Sequence, residues 1–447
     1  MALSFGTDGV RGVANTELTP LYAFALGRAA MRSLGATTFA LGRDTRRSGS
    51  MLQAAFAAGL AAQGARVIDL GVLPTPGVAF TCARASVAGA VISASHNPFG
   101  DNGIKLFAPG GRKLSDAQER AVEALVSEIL AAPDAPGPDG AEVGTIASDP
   151  SAVHTYVDWL VSTVPADSLT GLRIVVDAAN GAASALAGPV LSRLGADVQV
   201  ICDRPDGVNI NEQCGATHTD ALARAVVAAG ADLGIALDGD ADRCVAVDAL
   251  GRVVDGDRII AICAVDRHRR QVLSGDTVVA TVMANLGFRH AMAAEGIAIA
   301  ETAVGDRYVL EALDAGAFVL GGEQSGHVIF RDLATTGDGL LTALQTLDAV
   351  RRDGRSFTEV TESVMKRLPQ CLVNVRVTGS AAAIVAAMEP EIGQVRDRLG
   401  DAGRVLVRPS GTEPLVRVMI EAESQATADE MAAELANTAR DKAALAL

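Results

Sequence analysis

The stretch VISASHNPFGDNGIKLF, Val91 to Phe107, decides how this chain is read. An apolar run enters a short polar loop, and a second apolar run leaves it. The same arrangement returns in ADLGIALDGDADRCVAVD (231–248) and in AFVLGGEQSGHVIF (317–330). The loops fall around positions 95, 240 and 325. Recurrence at domain-sized intervals predicts three related α/β units, each offering one polar loop.

The segments around these loops support that reading. Thr19 and Pro20 read as N-cap and first turn of a helix ending near Gly35, with Leu21, Phe24, Met31 and Leu34 on one face. Strand-like TTFALGRD follows, then a helix through MLQAAFAAGLAAQGA, then strand-like RVIDLGVLP. LRIVVDAAN, ADVQVICD and DTVVATVMANL repeat the rhythm. Such alternation predicts mixed or parallel sheets covered by helices. AAPDAPGPDGAEVG (131–144) is loop-like and lies near the end of the first unit. After about residue 367, CLVNVRVTG and RVLVRPSGTEPLVRVMIEA alternate as strands beside helical stretches, which predicts a smaller α+β domain.

At 447 residues the chain is long enough for three or four domains. Thirty-eight Lys and Arg against fifty-three Asp and Glu give a net charge of −15, which argues against non-specific nucleic-acid binding. Six scattered cysteines without a C-x-x-C read as reduced thiols, not a disulfide frame or zinc site. No signal pattern opens the chain, and no apolar run approaches a membrane span, so a cytoplasmic protein without a membrane partner is expected.

Asp238, Asp240 and Asp242 stand at alternate positions after an apolar run. Clustered carboxylates repel unless a cation neutralises them, and hard oxygen donors suit Mg²⁺ or Ca²⁺. An EF-hand is excluded, because Arg243 and Ala249 would fill its glycine and glutamate positions. RPSGTEP (408–414) has the makings of an anion site: Arg408 for bidentate binding, Ser410 and Thr412 for hydroxyls, Gly411 for close backbone approach. GGEQSGH (321–327) mixes a carboxylate, an amide, a hydroxyl and an imidazole, which suits sugar hydroxyls. Arg11, Arg43, Arg46 and Arg47 flank glycines, as in phosphate recognition, although solvated helix ends account equally well for the last two.

If residues 91–95 are extended, Ser93 and Ser95 share a face and Ser95 points away from His96. A Ser–His hydrolase pair is then disfavoured. With acidic metal ligands and an arginine-bearing anion loop elsewhere, a serine that carries phosphate fits better, with Lys105 as a candidate base. These arguments leave Ser93 and Ser95 both open.

SASHNPFGDNGIK, DGDADR, GGEQSGH and RPSGTEP, in this order and spacing, resemble the α-D-phosphohexomutase superfamily from GTDGVRG to RPSGTEP. NINEQCGATH (209–218), TVMANLG and VGDRYVLE are similar to its bacterial amino-sugar branch. The resemblance implies four domains around a central cleft. Three are related α/β mixed-sheet units: 1–152 with the phosphoserine loop, 153–251 with the metal site, and 252–366 with the sugar-binding loop. The fourth, 367–447, is a smaller α+β phosphate-binding domain. The family's phosphoserine falls on Ser95. Mg²⁺ would be held by Asp238, Asp240, Asp242 and a phosphoryl oxygen on Ser95. Lys105, Arg243 and Arg11 would be catalytic. Glu323, Ser325 and His327 would bind the sugar. Arg408, Ser410, Gly411 and Thr412 would bind the phosphate that does not react. Asp306 stands where several relatives have histidine after V-G, so no proton-transfer role is carried over to it.

The implied reaction interconverts glucosamine 6-phosphate and glucosamine 1-phosphate, with glucosamine 1,6-bisphosphate as intermediate and activator. It would supply the amino-sugar nucleotide precursor of cell-wall polymers. For Lys105 to act as base its pKa must fall, and Arg243 and Mg²⁺ are expected to lower it. Small-molecule sugar phosphates are the expected partners, and a homodimer is left open. The competing readings are a phosphomannomutase or phosphoglucomutase of the same fold, a haloacid-dehalogenase-like phosphatase and a non-catalytic sugar-phosphate sensor.

Overall fold

The computed structural model describes residues 3–6, 8–133, 135–410 and 414–445. Three of its sheets follow one plan. In the first, Thr38–Arg43 pairs in parallel with both Arg66–Val72 and Ala88–Ile92, and Asp101–Ala108 returns antiparallel to Ala88–Ile92. In the second, Arg173–Asp177 lies parallel to Asp197–Ile201 and Leu233–Leu237, and Cys244–Asp248 returns antiparallel to Leu233–Leu237. In the third, Thr277–Thr281 lies parallel to Ala298–Thr302 and Leu320–Gly322, with Val328–Phe330 returning. The spatial order is second, first, third, fourth each time. The recurring sequence pattern is therefore a recurring topology, and each polar loop joins the third strand to the fourth. It leaves the carboxyl end of a buried parallel strand, where open α/β sheets place their ligands.

The runs entering the first two loops, Ala88–Ile92 and Leu233–Leu237, are buried at every position. Cover on both faces explains their continuous apolar sequence. The first sheet is extended by Phe5–Gly6, Gly9–Val13, Arg112–Lys113 and Thr145–Ser148. The 131–144 connection holds a short 3₁₀ turn at Gly140–Glu142 before Thr145–Ser148 pairs in parallel with Arg66–Val72.

The first helix is Pro20–Leu34, capped by the Thr19 hydroxyl, which accepts the Tyr22 N–H, and closed by left-handed Gly35. Its buried face overlaps the one expected: Met31 and Leu34 pack against the core, and of the four residues only Leu21 is exposed. Leu21 is 55% exposed, whereas Ala25, Leu26, Ala29 and Ala30 are buried. Gly27 sits against the Phe56 carbonyl, and Gly59 of the helix Gly49–Ala61 sits against the Phe24 carbonyl. Any side chain there would collide with backbone, so close helix contact selects the small residues over the large ones.

The chain divides into two compact units. Met1–Met283 with Glu295–Val364 holds the three repeated sheets. Ala284–Ala294 with Met365–Leu447 forms the second unit. There Leu415–Glu421 is the central strand between Gln370–Arg376 and Arg404–Pro409, all antiparallel. Helices Ala381–Ala387, Glu389–Leu399 and Gln425–Leu445 complete this α+β unit. The helix Leu286–Ala294 is tied into it: Asn285 donates to the Leu368 carbonyl and to Glu421, and Glu421 accepts the Leu286 N–H at 2.9 Å.

Candidate active site

The strand that enters the SASHNP loop stops at Ile92, and Ser95 takes a left-handed conformation with φ of 52°. The expected alternation of side chains therefore ends before Ser95. Ser93 and Ser95 do not share a face: the Ser93 hydroxyl accepts the Ser95 N–H at 2.9 Å and itself donates to Asp44 at 2.6 Å. The Ser95 hydroxyl instead reaches Asp238 of the second repeat at 2.6 Å. It also lies 3.3 Å from His96 Nδ1, so the expected separation of Ser95 from His96 is corrected. Burial, then Arg243 and Arg11, lower the His96 pKa to about 4, which leaves a neutral ring.

Arg46 is neither a phosphate ligand nor a solvated helix end. Its side chain is fully buried and paired with Asp44 at 2.8 Å. The guanidinium donates to the carbonyls of Ser95, Asn97, Pro98 and Asp101, wrapping the serine loop from beneath. Asn211, from the NINEQCGATH segment, donates to the Ser95 and Asn97 carbonyls at 2.8 and 3.0 Å. A planar five-donor fork suits this task, and lysine does not. Arg46→Met leaves Asp44 without its buried counter-charge and removes one donor from each of four carbonyls. A loss of about 3–5 kcal/mol in unfolding free energy is expected from breaking a buried pair, measured by urea denaturation. A loss below about 1 kcal/mol, the size of an ordinary exposed pair, would assign Arg46 no such role.

Asp238, Asp240 and Asp242 are buried, and one oxygen from each lies within 4.8 Å of the others. Gly239 brings their loop onto the serine loop, since a Cβ there would lie 2.6 Å from the Ser95 carbonyl oxygen. Burial, then Asp242 and Asp240, push the Asp238 pKa well up. Asp240 Oδ1 and Asp242 Oδ1 are buried without a hydrogen-bond partner. Orphaned carboxylate oxygens, crowded like charges and hard donors all fit a divalent cation. Thr75 donates to Asp240 Oδ2 at 2.6 Å and so helps to orient it.

Lys105 extends into this group from the returning strand. Its ammonium lies 2.8 Å from Asp240, 3.4 Å from Asp242 and 2.7 Å from Asp8. The expected fall in its pKa is not found. Burial alone would lower it, but Asp240, Asp8 and Asp242 together hold it well above its usual value.

Lys105 belongs to a closed ring of alternating basic and acidic side chains. Asp8 bridges Lys105 to Lys113, which lies 3.0 Å from Asp8 and is ion-paired with Asp306. His327 Nε2 is 3.7 Å from Asp306, and its Nδ1 is 3.7 Å from Asp242. Asp242 returns to Lys105. Burial opposes a charged imidazole, yet Asp242 and Asp306 raise the His327 pKa. Sequence reasoning found His327, Lys105 and Asp242 but missed Asp8 and Lys113. Asp8 sits within GTDGVRG, where the arginine drew attention, and Arg11 is ion-paired with it. Lys113 carries no local signal.

Arg243 approaches Asp242, with Nε 4.0 Å from Oδ1, and its backbone N–H donates to Asp238 at 3.2 Å. Glu323 accepts the Gly305 N–H at 3.0 Å, and Ser325 is exposed. The Gln324 amide nitrogen donates to Asp257 at 3.2 Å. In the second unit Arg408 stands directly opposite Arg417 across two strands, and Arg417 also reaches the Ser410 hydroxyl at 3.4 Å. Burial, then Arg417, lower the Arg408 pKa. Two guanidiniums side by side on adjacent strands suit a phosphate, and Arg417 is an addition to the sequence reading. Gly411 and Thr412 lie outside the described residues.

Three loops of one topology thus bring a hydroxyl, a carboxylate triad and a sugar-compatible loop into one compact unit. The chain belongs to the phosphoglucomutase/phosphomannomutase family, matching its alpha/beta/alpha domains I, II and III at residues 2–132, 154–251 and 255–368 and its C-terminal domain at 372–438. Within that family its relatives are phosphoglucosamine mutases. Those of Frankia alni and Thermobifida fusca are 52% and 50% identical, over 98% and 99% of each chain respectively. Among solved structures, a family protein from Burkholderia thailandensis matches with a TM-score of 0.80 at 24% identity, covering 98% of this chain and 97% of its own. Aspergillus fumigatus N-acetylphosphoglucosamine mutase, solved with GlcNAc-6P and magnesium, matches with a TM-score of 0.72 at 20% identity, over 99% and 96%. Both likenesses are of fold. Among the described residues no helix is long and apolar enough to cross a membrane.

Proposed function

We propose that this enzyme interconverts glucosamine 6-phosphate and glucosamine 1-phosphate, with Ser95 carrying the phosphoryl group. The observation that carries the reading is the Ser95 hydroxyl set 2.6 Å from Asp238 inside a buried carboxylate triad. A phosphoryl group on Ser95 passes to the sugar O1. The resulting 1,6-bisphosphate turns over, and its 6-phosphate returns to Ser95. Such chemistry is positioning and charge neutralisation more than covalent assistance.

Asp238, Asp240 and Asp242 would hold the cation, and their all-oxygen set suits Mg²⁺. When bound, that ion supplies Lewis-acid stabilisation of phosphoryl charge. Arg243 offsets further charge on the same group. Lys105, set among Asp240, Asp242 and Asp8, serves as an electrostatic partner of the phosphoryl oxygens. Arg11, held by Asp8, flanks the serine loop. Glu323, Ser325 and His327 take the sugar, while Arg408 and Ser410, with Gly411 and Thr412, take the distal phosphate. The domain limits at 152, 251 and 366 divide these duties.

The amino-sugar preference rests on the halves of identity shared with phosphoglucosamine mutases and on Glu323. The Gln324 amide nitrogen is held by Asp257, so the Glu323 carboxylate and the Gln324 amide oxygen are the acceptors this loop offers to an ammonium at C2. A site built to hydrogen-bond a substrate group discriminates more strongly than shape alone. A preference of roughly 10²-fold, about 2.7 kcal/mol, is expected. It is read as kcat/KM on glucosamine 1-phosphate against glucose 1-phosphate and mannose 1-phosphate. Equal efficiency on either neutral sugar would make the protein a phosphoglucomutase or phosphomannomutase with the same serine chemistry.

A further inference from the structure

A second cluster of ligating side chains lies in the second repeat, apart from the carboxylate triad. Asp177 ends the strand Arg173–Asp177, Cys202 follows the neighbouring strand Asp197–Ile201, and Cys214 stands in the NINEQCGATH segment. One carboxylate oxygen and both sulfurs lie within 4.8 Å of one another. We infer that Asp177, Cys202 and Cys214 form a binding site for one thiophilic divalent ion, such as Zn²⁺.

The donor set decides the class of ion. Two thiolates select borderline-soft metals over Mg²⁺, and one carboxylate is a common third ligand for zinc. Tetrahedral zinc with its usual bond lengths needs ligand atoms about 3.6–3.8 Å apart, inside the spacing found. The carboxylate is already oriented: its oxygens accept the N–H groups of Ala179 at 2.9 Å and Gly215 at 2.8 Å. Outer-sphere hydrogen bonds of this kind fix a ligand's direction. Asp177 and Cys214 are buried while Cys202 is half-buried, so an ion enters from the Cys202 side and keeps a water there. Each thiol gives up its proton on coordination, so two protons pass to solvent for each ion bound.

The surrounding backbone is held in an unusual state. Ala179, Asn180, Cys202, Asn211 and Gln213 all have positive φ. They form one knot: the Asn180 N–H donates to the Cys202 carbonyl at 2.6 Å, and the Asn211 N–H donates to the Ala179 carbonyl at 2.9 Å. Left-handed backbone at residues other than glycine persists where the surroundings over-determine it. An ion at this point would fasten the loop that carries Asn211, and Asn211 holds the Ser95 carbonyl at 2.8 Å.

The test uses the full chain, reduced and stripped of metal, in excess Mg²⁺ so that the carboxylate triad is occupied. Titration with Co²⁺ should produce a thiolate-to-cobalt charge-transfer band, which carboxylates alone do not give. The band should saturate at one equivalent, disappear on adding Zn²⁺, and be absent from Cys202→Ser. It should persist in Cys371→Ser, which removes the other half-buried thiol. Zn²⁺ should raise the Tm of the parent protein and leave that of Cys202→Ser unmoved, because only a folded site binds it. Absence of the band in the parent, or its survival in Cys202→Ser, would overturn the assignment. Cys202 is the residue chosen because its partial exposure spares the core from the substitution.

Discussion

Ser95→Ala is expected to lose at least ~10³-fold in turnover, the scale of removing a covalent catalyst, while Ser93→Ala stays active. The two hydroxyls have different duties. Ser95 Oγ faces Asp238 at 2.6 Å, whereas Ser93 Oγ is engaged with Asp44 and the Ser95 N–H. Removing Ser93 deprives a buried carboxylate of a donor and costs about 1–3 kcal/mol of stability, but a phosphorylatable group remains beside the triad. Steady-state kcat on both variants checks the first part. Intact mass of the purified protein checks the second: one added phosphoryl group on the parent and on Ser93→Ala, none on Ser95→Ala. An inactive Ser93→Ala beside an active Ser95→Ala would reverse the assignment.

Chelation is expected to abolish activity, and Mg²⁺ to restore it. Asp238→Asn should cost at least ~10²-fold, since even outer-sphere partners of a metal are worth 10–100-fold. The reason is electrostatic. Burial and two neighbouring carboxylates already oppose ionisation of Asp238. Lys105 offsets part of the charge on Asp240 and Asp242, yet one oxygen of each stays without a hydrogen-bond partner. A hard cation meets all three needs at once. Titration of the chelated enzyme with Mg²⁺, followed by initial rates, measures the effect. Full activity in excess chelator would remove the metal from the reaction.

Much of the architecture was legible because topology leaves a periodic trace. Each repeat presents a buried strand, a polar loop and a returning strand, and a continuous apolar run marks the buried one. The candidate ligand-bearing loops stood out by residue types such as Asp238, Asp240 and Asp242, which the fold brings within 4.8 Å of one another. What stayed hidden depends on contacts distant in sequence. Ser93 and Ser95 differ only through the left-handed turn at Ser95, which alternation cannot foresee. Arg46 reads locally as a loop arginine, and its burial comes from four carbonyls 49 to 55 residues away. The surroundings of Lys105 were incomplete for the same reason: Asp8, nearly a hundred positions earlier, was absent from the reckoning. On the Pro20–Leu34 helix Met31 and Leu34 pack against the core as expected, but Leu21 is exposed, because the neighbouring helix approaches on the side of Gly27.

The ring that runs through Lys105, Asp8, Lys113, Asp306, His327 and Asp242 takes members from all three repeats. No repeat alone contains a complete circuit. The first would expose two lysines beside one aspartate, the second a lone carboxylate, the third an aspartate and an imidazole. Charge balance is in this sense a conjunction: the circuit closes only when all three repeats stand in correct registry at the same time. Repeats out of register would leave these buried charges uncompensated, which ties correct assembly of the fold to the charge balance beside the carboxylate triad.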